Sequence, residues 1–171
     1  YGYMDQSASE YSNLSLVRTL NHHSLVCTAL FSNHSKVIAT GCNHAAHLFD
    51  AATARCSRVG SLVVSAPGGW GTYYSGDTAD QMLACHTERD LYVRTVAFSP
   101  NDALLVTGAE DRMLRLWDLK NKKAMEGWVE HSQDVYSVAF MPNGKELLSA
   151  SADNTIKVWD VGTCSVLRVL G

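Results

Sequence analysis

The sequence repeats itself with a period of 42 residues, and this repetition limits the folds that the chain can adopt. The segment VRTVAFSPNDALLVTGAEDRMLRLWDL at 93–119 aligns without a gap with VYSVAFMPNGKELLSASADNTIKVWDV at 135–161. A weaker copy, LVCTALFSNHSKVIATGCNHAAHLFDA, lies at 25–51, and about 25 additional residues separate it from the second copy. A repeat of this length predicts similar supersecondary units that stack on one another and share a core.

Each copy consists of short apolar segments separated by turn residues. In the third copy, Val135–Phe140 is followed by the turn Pro-Asn-Gly at 142–144 and by further strands at Leu147–Ser151, Thr155–Trp159 and Val166–Leu170. Several segments are apolar on both faces, which a sheet packed between two neighbouring sheets requires. The pattern therefore predicts an all-β fold of four-stranded sheets, each forming one blade of a β-propeller.

The dipeptide Trp-Asp closes the third strand of two copies, at 117–118 and 159–160. Together with the period of 42 residues, this dipeptide resembles the WD-repeat family. The resemblance implies a partial β-propeller of about three four-stranded blades, belonging to a seven-bladed ring. It also implies that each blade contains a hydrogen-bonded set of His, Ser or Thr, Asp and Trp. In the third copy this set is His131, Ser149, Asp153 and Trp159.

The other two copies contain the implied set only in part. The second copy has Thr107, Asp111 and Trp117 with Arg89 at the His position, and the first copy has His22 and Thr40 with Phe49 at the Trp position. We therefore expect complete bracing of the third blade and partial bracing of the other two.

A His, a Ser and an Asp are also the members of a hydrolase triad. Here the combination recurs with the repeat and includes an indole donor, so we interpret it as a structural device for buried polar groups. The pairs His22-His23 and Cys85-His86 have no partners at metal-ligand spacing. The glycine-rich GGWG at 68–71 lacks the strand, loop and helix of a phosphate site. We expect no enzymatic activity, no metal and no cofactor.

The charge balance excludes some classes of partner. The net charge is −3, and no stretch concentrates Lys or Arg as duplex DNA binding requires. No apolar run is long enough to span a membrane. Five scattered cysteines without a C-x-x-C pair indicate reduced thiols in an intracellular protein. We expect no direct contact with nucleic acid or membrane.

The repeat geometry predicts a protein-binding face. In a propeller, the loop before each first strand and the turn before each third strand open onto the same side. Aromatic, Arg and acidic residues at those positions are typical of binding hot spots. The predicted contact residues are Tyr92, Arg94, Glu110, Asp134 and Tyr136, with Ala152, Leu25 and Cys27 at the remaining equivalent positions.

Three longer stretches resemble a narrower group of WD-repeat proteins. They are LNHHSLVCTALFSNHSKVIATGCN at 20–43, DLYVRTVAFSPNDALLVTGAEDRMLRLWDL at 90–119 and HSQDVYSVAFMPNGKELLSASADNTIKVWD at 131–160. In this order they resemble the propeller of the fungal Tup-type general transcriptional corepressors, a family that also has a variable insertion between its first two blades. The resemblance covers 14–170 and is thin across 61–89.

The copies and the gap between them predict five segments. These are an N-terminal extension at 1–13, a first blade at 14–60, a Gly- and Ser-rich insertion at 61–89, a second blade at 90–128 and a third blade at 129–171. Trp70, Tyr73 and Tyr74 in the insertion either form a binding patch or pack within their own loop.

The resemblance to Tup-type corepressors implies a scaffold that acts in the nucleus without enzymatic activity. DNA-bound repressors would recruit it, and it would bind a tetratricopeptide-repeat adaptor, histone tails and deacetylases. Three alternatives stay open: a WD-repeat adaptor of another pathway, such as a ubiquitin-ligase substrate receptor or signalling scaffold; an enzyme built on a propeller; and a structural subunit of a large assembly.

Overall fold

The computed structural model describes residues 15–22, 24–43, 45–54, 62–63, 71–72, 91–121 and 123–171. These residues form thirteen β-strands in three antiparallel sheets, and neighbouring strands follow one another along the chain. Within these ranges there is no helix of the length and apolar character needed to cross a bilayer. Because each sequence copy forms one sheet, the all-β fold predicted from the repeat is confirmed.

The second and third sheets each have four strands and correspond to the two strongest copies. The second sheet consists of β6 (Val93–Phe98), β7 (Leu104–Ala109), β8 (Leu114–Asp118) and β9 (Lys123–Trp128). The third sheet consists of β10 (Val135–Phe140), β11 (Glu146–Ser151), β12 (Ile156–Asp160) and β13 (Ser165–Leu170). Their registers match at an offset of 42 residues: Leu105 pairs with Trp117, and Leu147 pairs with Trp159.

The first sheet has five strands rather than the expected four. It consists of β1 (Thr28–Phe31), β2 (Val37–Gly41), β3 (Ala45–Asp50), β4 (Leu62–Val63) and β5 (Gly71–Thr72). The last two come from the segment that the sequence analysis assigned to the insertion at 61–89. Leu62 and Val63 pair with β3, so this blade takes its outer strands from that segment. Trp70, Tyr73, Tyr74 and Arg89 lie outside the described residues, and the insertion stays a prediction.

The second sheet packs against a neighbour on each side because both of its faces are apolar. The core shared with the first sheet contains Ala39, Ala46, Leu48, Val93, Val96, Phe98, Leu105, Ala109 and Trp117. The core shared with the third sheet contains Ala97, Val106, Leu114, Leu116, Trp128, Val135, Val138, Leu147 and Trp159. The three sheets therefore stack as consecutive blades.

The two junctions between blades are held by different contacts. We call the side that carries the β1–β2 and β6–β7 turns the lower face. There, Asp102 accepts hydrogen bonds from the backbone N–H groups of Asn33 (2.8 Å) and His34 (2.9 Å). Both side chains donate to it as well, Asn33 Nδ2 at 2.9 Å and His34 Nδ1 at 2.7 Å. Between the second and third blades, the indoles of Trp128 and Trp159 stack with centroids 5.5 Å apart and planes inclined by 23°.

Candidate protein-binding face

A β-bulge recurs at the start of the first strand in the second and third blades. The register of β6 with β7 shifts between Val93 and Thr95, and that of β10 with β11 shifts between Val135 and Ser137. The extra residues are Arg94 and Tyr136. A bulge bends its strand and redirects the side chain of the extra residue, so it is a common device at functional sites.

The first blade shows the same irregularity at Cys27. Its backbone N–H donates to the carbonyl of Gly41 at 2.8 Å, although Gly41 is the register partner of Thr28. Two residues, Cys27 and Thr28, therefore oppose the single residue Gly41 of β2. Cys27, Arg94 and Tyr136 occupy the same place in three successive blades, and we call the face that carries them the upper face.

Arg94 is the centre of a compact cluster on the upper face. Its guanidinium forms an ion pair with Glu110 and lies 5.5 Å from the centroid of the Tyr92 ring. Glu110 also accepts a hydrogen bond from the backbone N–H of Tyr92 at 3.0 Å. Partial burial lowers the pKa of Arg94, but the hydrogen bond and charge of Glu110 outweigh this effect, so the pKa of Arg94 is raised overall.

The structure brings four of the five predicted contact residues into this neighbourhood. Tyr92, Arg94 and Glu110 contact one another, and Tyr136 is close enough to Arg94 to influence its pKa electrostatically. Asp134 is separate, since no described residue forms a hydrogen bond or ion pair with its carboxylate. Sequence reasoning found the residues but missed that Arg94 and Glu110 pair with each other.

One side chain at the equivalent positions of the first blade and one of the third blade are more exposed. Tyr136 is 54% exposed and Leu25 is 62% exposed. In the third blade Ala152 stands where the second blade has Glu110, and its N–H donates to the backbone carbonyl of Asp134 at 3.0 Å. Because Ala152 has no carboxylate, it cannot form with Tyr136 a contact equivalent to the Arg94–Glu110 ion pair.

Beneath the upper face, the third blade contains the complete hydrogen-bonded set. Trp159 Nε1 donates to Ser149 Oγ at 2.8 Å, and Ser149 Oγ is hydrogen-bonded to His131 Nε2 at 2.7 Å. His131 Nδ1 in turn donates to Asp153 Oδ2 at 2.8 Å. His131, Ser149 and Trp159 are all at most 3% exposed. The chain of bonds satisfies polar groups that are expensive to bury alone.

Asp153 is the charged end of this set. Burial raises the pKa of its carboxyl, but hydrogen bonds from Thr155, His131 and Ser132 outweigh burial and hold the pKa well below its usual range. The carboxylate thus stays ionised and can only accept hydrogen bonds. It ties the loop before β10 to the turn between β11 and β12, which are two of the segments that form the upper face.

The second blade uses an Arg side chain at the same Asp position. Arg115 Nη2 donates to Asp111 Oδ2 at 2.6 Å, and the Arg115 side chain is only 4% exposed. Trp117 Nε1 donates to Thr107 Oγ1 at 3.1 Å. Sequence reasoning missed Arg115 because it searched for a His replacement before β6. The available signal was an Arg four residues after Asp111, across a tight turn.

The first blade keeps the His and Thr but has no indole. His22 Nε2 is hydrogen-bonded to Thr40 Oγ1 at 2.8 Å, and the His22 ring packs edge-on against Phe49 with centroids 5.4 Å apart. His47 packs edge-on against His22 at the same separation. Partial bracing of this blade therefore relies on the His22–Thr40 hydrogen bond and on ring contacts. Among the described residues, no three His, Cys, Asp or Glu side chains come close enough together to hold a metal ion.

A model of the family described as WD domain, G-beta repeat matches this chain at 14–50, 78–118 and 123–160, together more than half of its length. The matched ranges contain the three sheets described above, except β4, β5 and β13. The fold is also similar to a solved structure of U3-55K, with a TM-score of 0.70 over 90% of this chain and 41% of that chain. At 16% identity this likeness concerns the fold alone.

Curated relatives with a known role are also similar to the chain. General transcriptional corepressor tupA of Dictyostelium discoideum is 34% identical over 124 residues, or 72% of this chain and 18% of that protein. General transcriptional corepressor TUP1 of Saccharomyces cerevisiae is 30% identical over 163 residues, or 73% and 22%. Transcriptional repressor tup12 of Schizosaccharomyces pombe is 38% identical over 125 residues, or 73% and 18%.

The chain spans about a fifth of the length of these relatives. The matched repeats indicate a WD-repeat fold. The three stacked sheets and the recurring Trp-centred hydrogen bonds indicate the same fold. The chain therefore belongs to the WD-repeat family, and its sheets are blades of a β-propeller.

Proposed function

We propose that this chain is part of a transcriptional corepressor that DNA-bound repressors recruit through the upper face. The observation that carries the proposal is the similarity, over about 73% of the chain, to proteins named as transcriptional corepressors and repressors. The protein acts as a scaffold in the nucleus and catalyses no reaction. It joins repressors to a tetratricopeptide-repeat adaptor, to histone tails and to deacetylases.

The geometry supports binding by a preorganised surface. Tyr92, Arg94 and Glu110 hold one another in place before any partner arrives, so little conformational entropy is lost when the partner binds. Tyr136 and Leu25 expose apolar area beside this cluster. Aromatic and Arg side chains on a rigid support are typical of binding hot spots.

Recruitment is tested with the substitutions Tyr136→Ala and Arg94→Ala in the whole protein. A reporter gene silenced by a native DNA-bound repressor should lose silencing with either variant, because partner capture weakens. The matched control is Arg168→Ala, which removes an exposed Arg from the outer strand β13. Circular dichroism of the purified variants should show that both remain folded.

A second arm separates recruitment from repression. When the protein is fused to a heterologous DNA-binding domain, the wild type and both variants should silence the reporter equally, because tethering replaces capture. If the tethered wild type leaves transcription unchanged, the corepressor function is wrong. If both untethered variants silence like the wild type, the upper face is not the recruiting surface.

A further inference from the structure

We propose that the partner segment bound by the upper face carries a basic side chain, which lies against the Asp134 carboxylate and the Tyr136 ring. This inference rests on the proposed function, because it names the chemistry of the partner that the same face captures. It depends on which charges of the face are already neutralised within the protein and which are available to a partner.

The charges of the second blade neutralise each other. The Arg94 guanidinium forms an ion pair with one carboxylate oxygen of Glu110, and the backbone N–H of Tyr92 donates to the other at 3.0 Å. The Glu110 side chain is only 15% exposed. A partner that used Arg94 as its anchor would have to break this pair, so the second blade offers shape and aromatic area rather than net charge.

The charge of the third blade is not neutralised. Asp134 takes the position of Tyr92, Tyr136 takes that of Arg94, and Ala152 takes that of Glu110. The carboxylate of Asp134 has no hydrogen-bond or ion-pair partner among the described residues and is partly exposed. Among the positions that we predicted to contact a partner, the uncompensated charge is therefore negative.

Tyr136 adds an aromatic surface beside that charge. It is two residues from Asp134, it is the bulged residue of β10, and more than half of its surface is exposed. The ring face of a tyrosine attracts a Lys or Arg cation at distances up to about 6 Å. A long basic side chain can contact the carboxylate with its charged end and the ring with its methylenes.

An acidic partner fits this face less well. It would meet the Asp134 carboxylate directly, and it would find Arg94 already paired. An alternative cation is Arg112, an exposed residue at the tip of the turn between β7 and β8. Asp134 and Arg112 thus give opposite predictions for the charge of the partner, and substituting each one separates the two.

The test uses a displayed library of short random peptides that is panned on the whole purified protein and counter-selected on its Asp134→Lys variant. We expect the enriched peptides to contain Lys or Arg next to an apolar residue. Fluorescence anisotropy then measures their affinity. Asp134→Asn should weaken binding about five- to tenfold, and Tyr136→Ala should weaken it comparably.

Three controls make the measurement specific. Arg112→Gln and Glu130→Gln, which remove other exposed charges, should leave affinity unchanged. Tyr136→Phe should retain more affinity than Tyr136→Ala because it keeps the ring. Replacing the basic residue of the peptide by Gln should cost as much as Asp134→Asn does, and the two changes together should cost no more than either alone.

Enriched peptides that lack basic residues overturn the proposal. So does wild-type affinity in Asp134→Asn, a loss of affinity in Arg112→Gln, or the absence of any peptide that depends on Asp134. None of these results affects silencing by the tethered protein. A failure of this inference is therefore distinguishable from a failure of the corepressor function.

Discussion

The Ser149 hydroxyl has two buried partners, whereas Thr107 at the same position of the second blade has one among the described residues. Ser149 binds both the Trp159 indole and the His131 ring, and within the described part of the chain Thr107 binds the Trp117 indole. A buried polar group that loses its only partner costs about 1–3 kcal/mol. The two positions therefore differ in the number of groups that one substitution leaves without a partner.

Ser149→Ala should lower the free energy of unfolding by about 2–4 kcal/mol, because it leaves both the Trp159 and the His131 nitrogens unsatisfied. The near-isosteric Thr107→Val should cost only about 1–2 kcal/mol. Urea titrations followed by tryptophan fluorescence measure both values. Equal costs would show that the His131 bond adds nothing to stability.

Among the strands, β2 and β7 each have a glycine at or next to their last residue that touches the next blade. A Cβ at Gly41 would lie 2.5 Å from the backbone carbonyl oxygen of Val93, and one at Gly108 would lie 2.7 Å from the Val135 side chain. In β11 the equivalent residue is Ala150. A missing side chain therefore lets the second strand of one blade closely approach the first strand of the next blade.

Gly108→Ala should destabilise the protein by about 1–3 kcal/mol, the usual cost of overpacking. Gly41→Ala should cost more, because the atom it meets belongs to the backbone and cannot rotate away. Thermal unfolding midpoints of the two variants give the comparison, and Gly162→Ala at an exposed turn is the control. A larger effect at Gly108 than at Gly41 would contradict this ranking.

The sequence was sufficient to predict the strands whose residues recur at the 42-residue period. Strand β10 was predicted at Val135–Phe140, which is where it lies. The Trp-centred set was implied by the resemblance to the WD-repeat family, and the period then indicated its members in each copy. The period carried no information on β4 and β5, which have no counterpart at that offset within the segment 61–89.

Other features were missed because they depend on pairing in three dimensions. The bulges at Arg94 and Tyr136 insert a residue into one strand only, which a gapless alignment of the copies does not reveal. The Arg115–Asp111 pair forms because both side chains are brought together across a turn. The contact of Asp102 with Asn33 and His34 joins residues more than 60 positions apart.

Across the whole molecule, stability depends on how blades adhere to their neighbours, since each blade contacts only the adjacent ones. The junction between the first and second blades carries the Asp102 contact at its lower face. Burial raises the pKa of Asp102, but hydrogen bonds from His34 and Asn33 outweigh it and lower the pKa from 3.8 to about 2. This junction is therefore sensitive to acid.

Because the pKa of Asp102 is lower in the folded state, its stabilising effect is complete above pH 3.8 and is lost as the pH falls toward 2. The difference in thermal midpoint between the wild type and Asp102→Asn should be largest near neutral pH and should shrink below about pH 4. Melting curves recorded by circular dichroism measure it. A pH-independent difference would mean that the Asp102 charge does not stabilise this junction.

The stacked indoles of Trp128 and Trp159 give the other junction an optical signature. Two chromophores 5.5 Å apart that belong to different blades couple their electronic transitions, and the chiral arrangement splits their circular dichroism into a couplet. The couplet exists only while the second and third blades are docked, whereas the strand signal reports each sheet. One spectrum can therefore distinguish separation of intact blades from loss of the blades themselves.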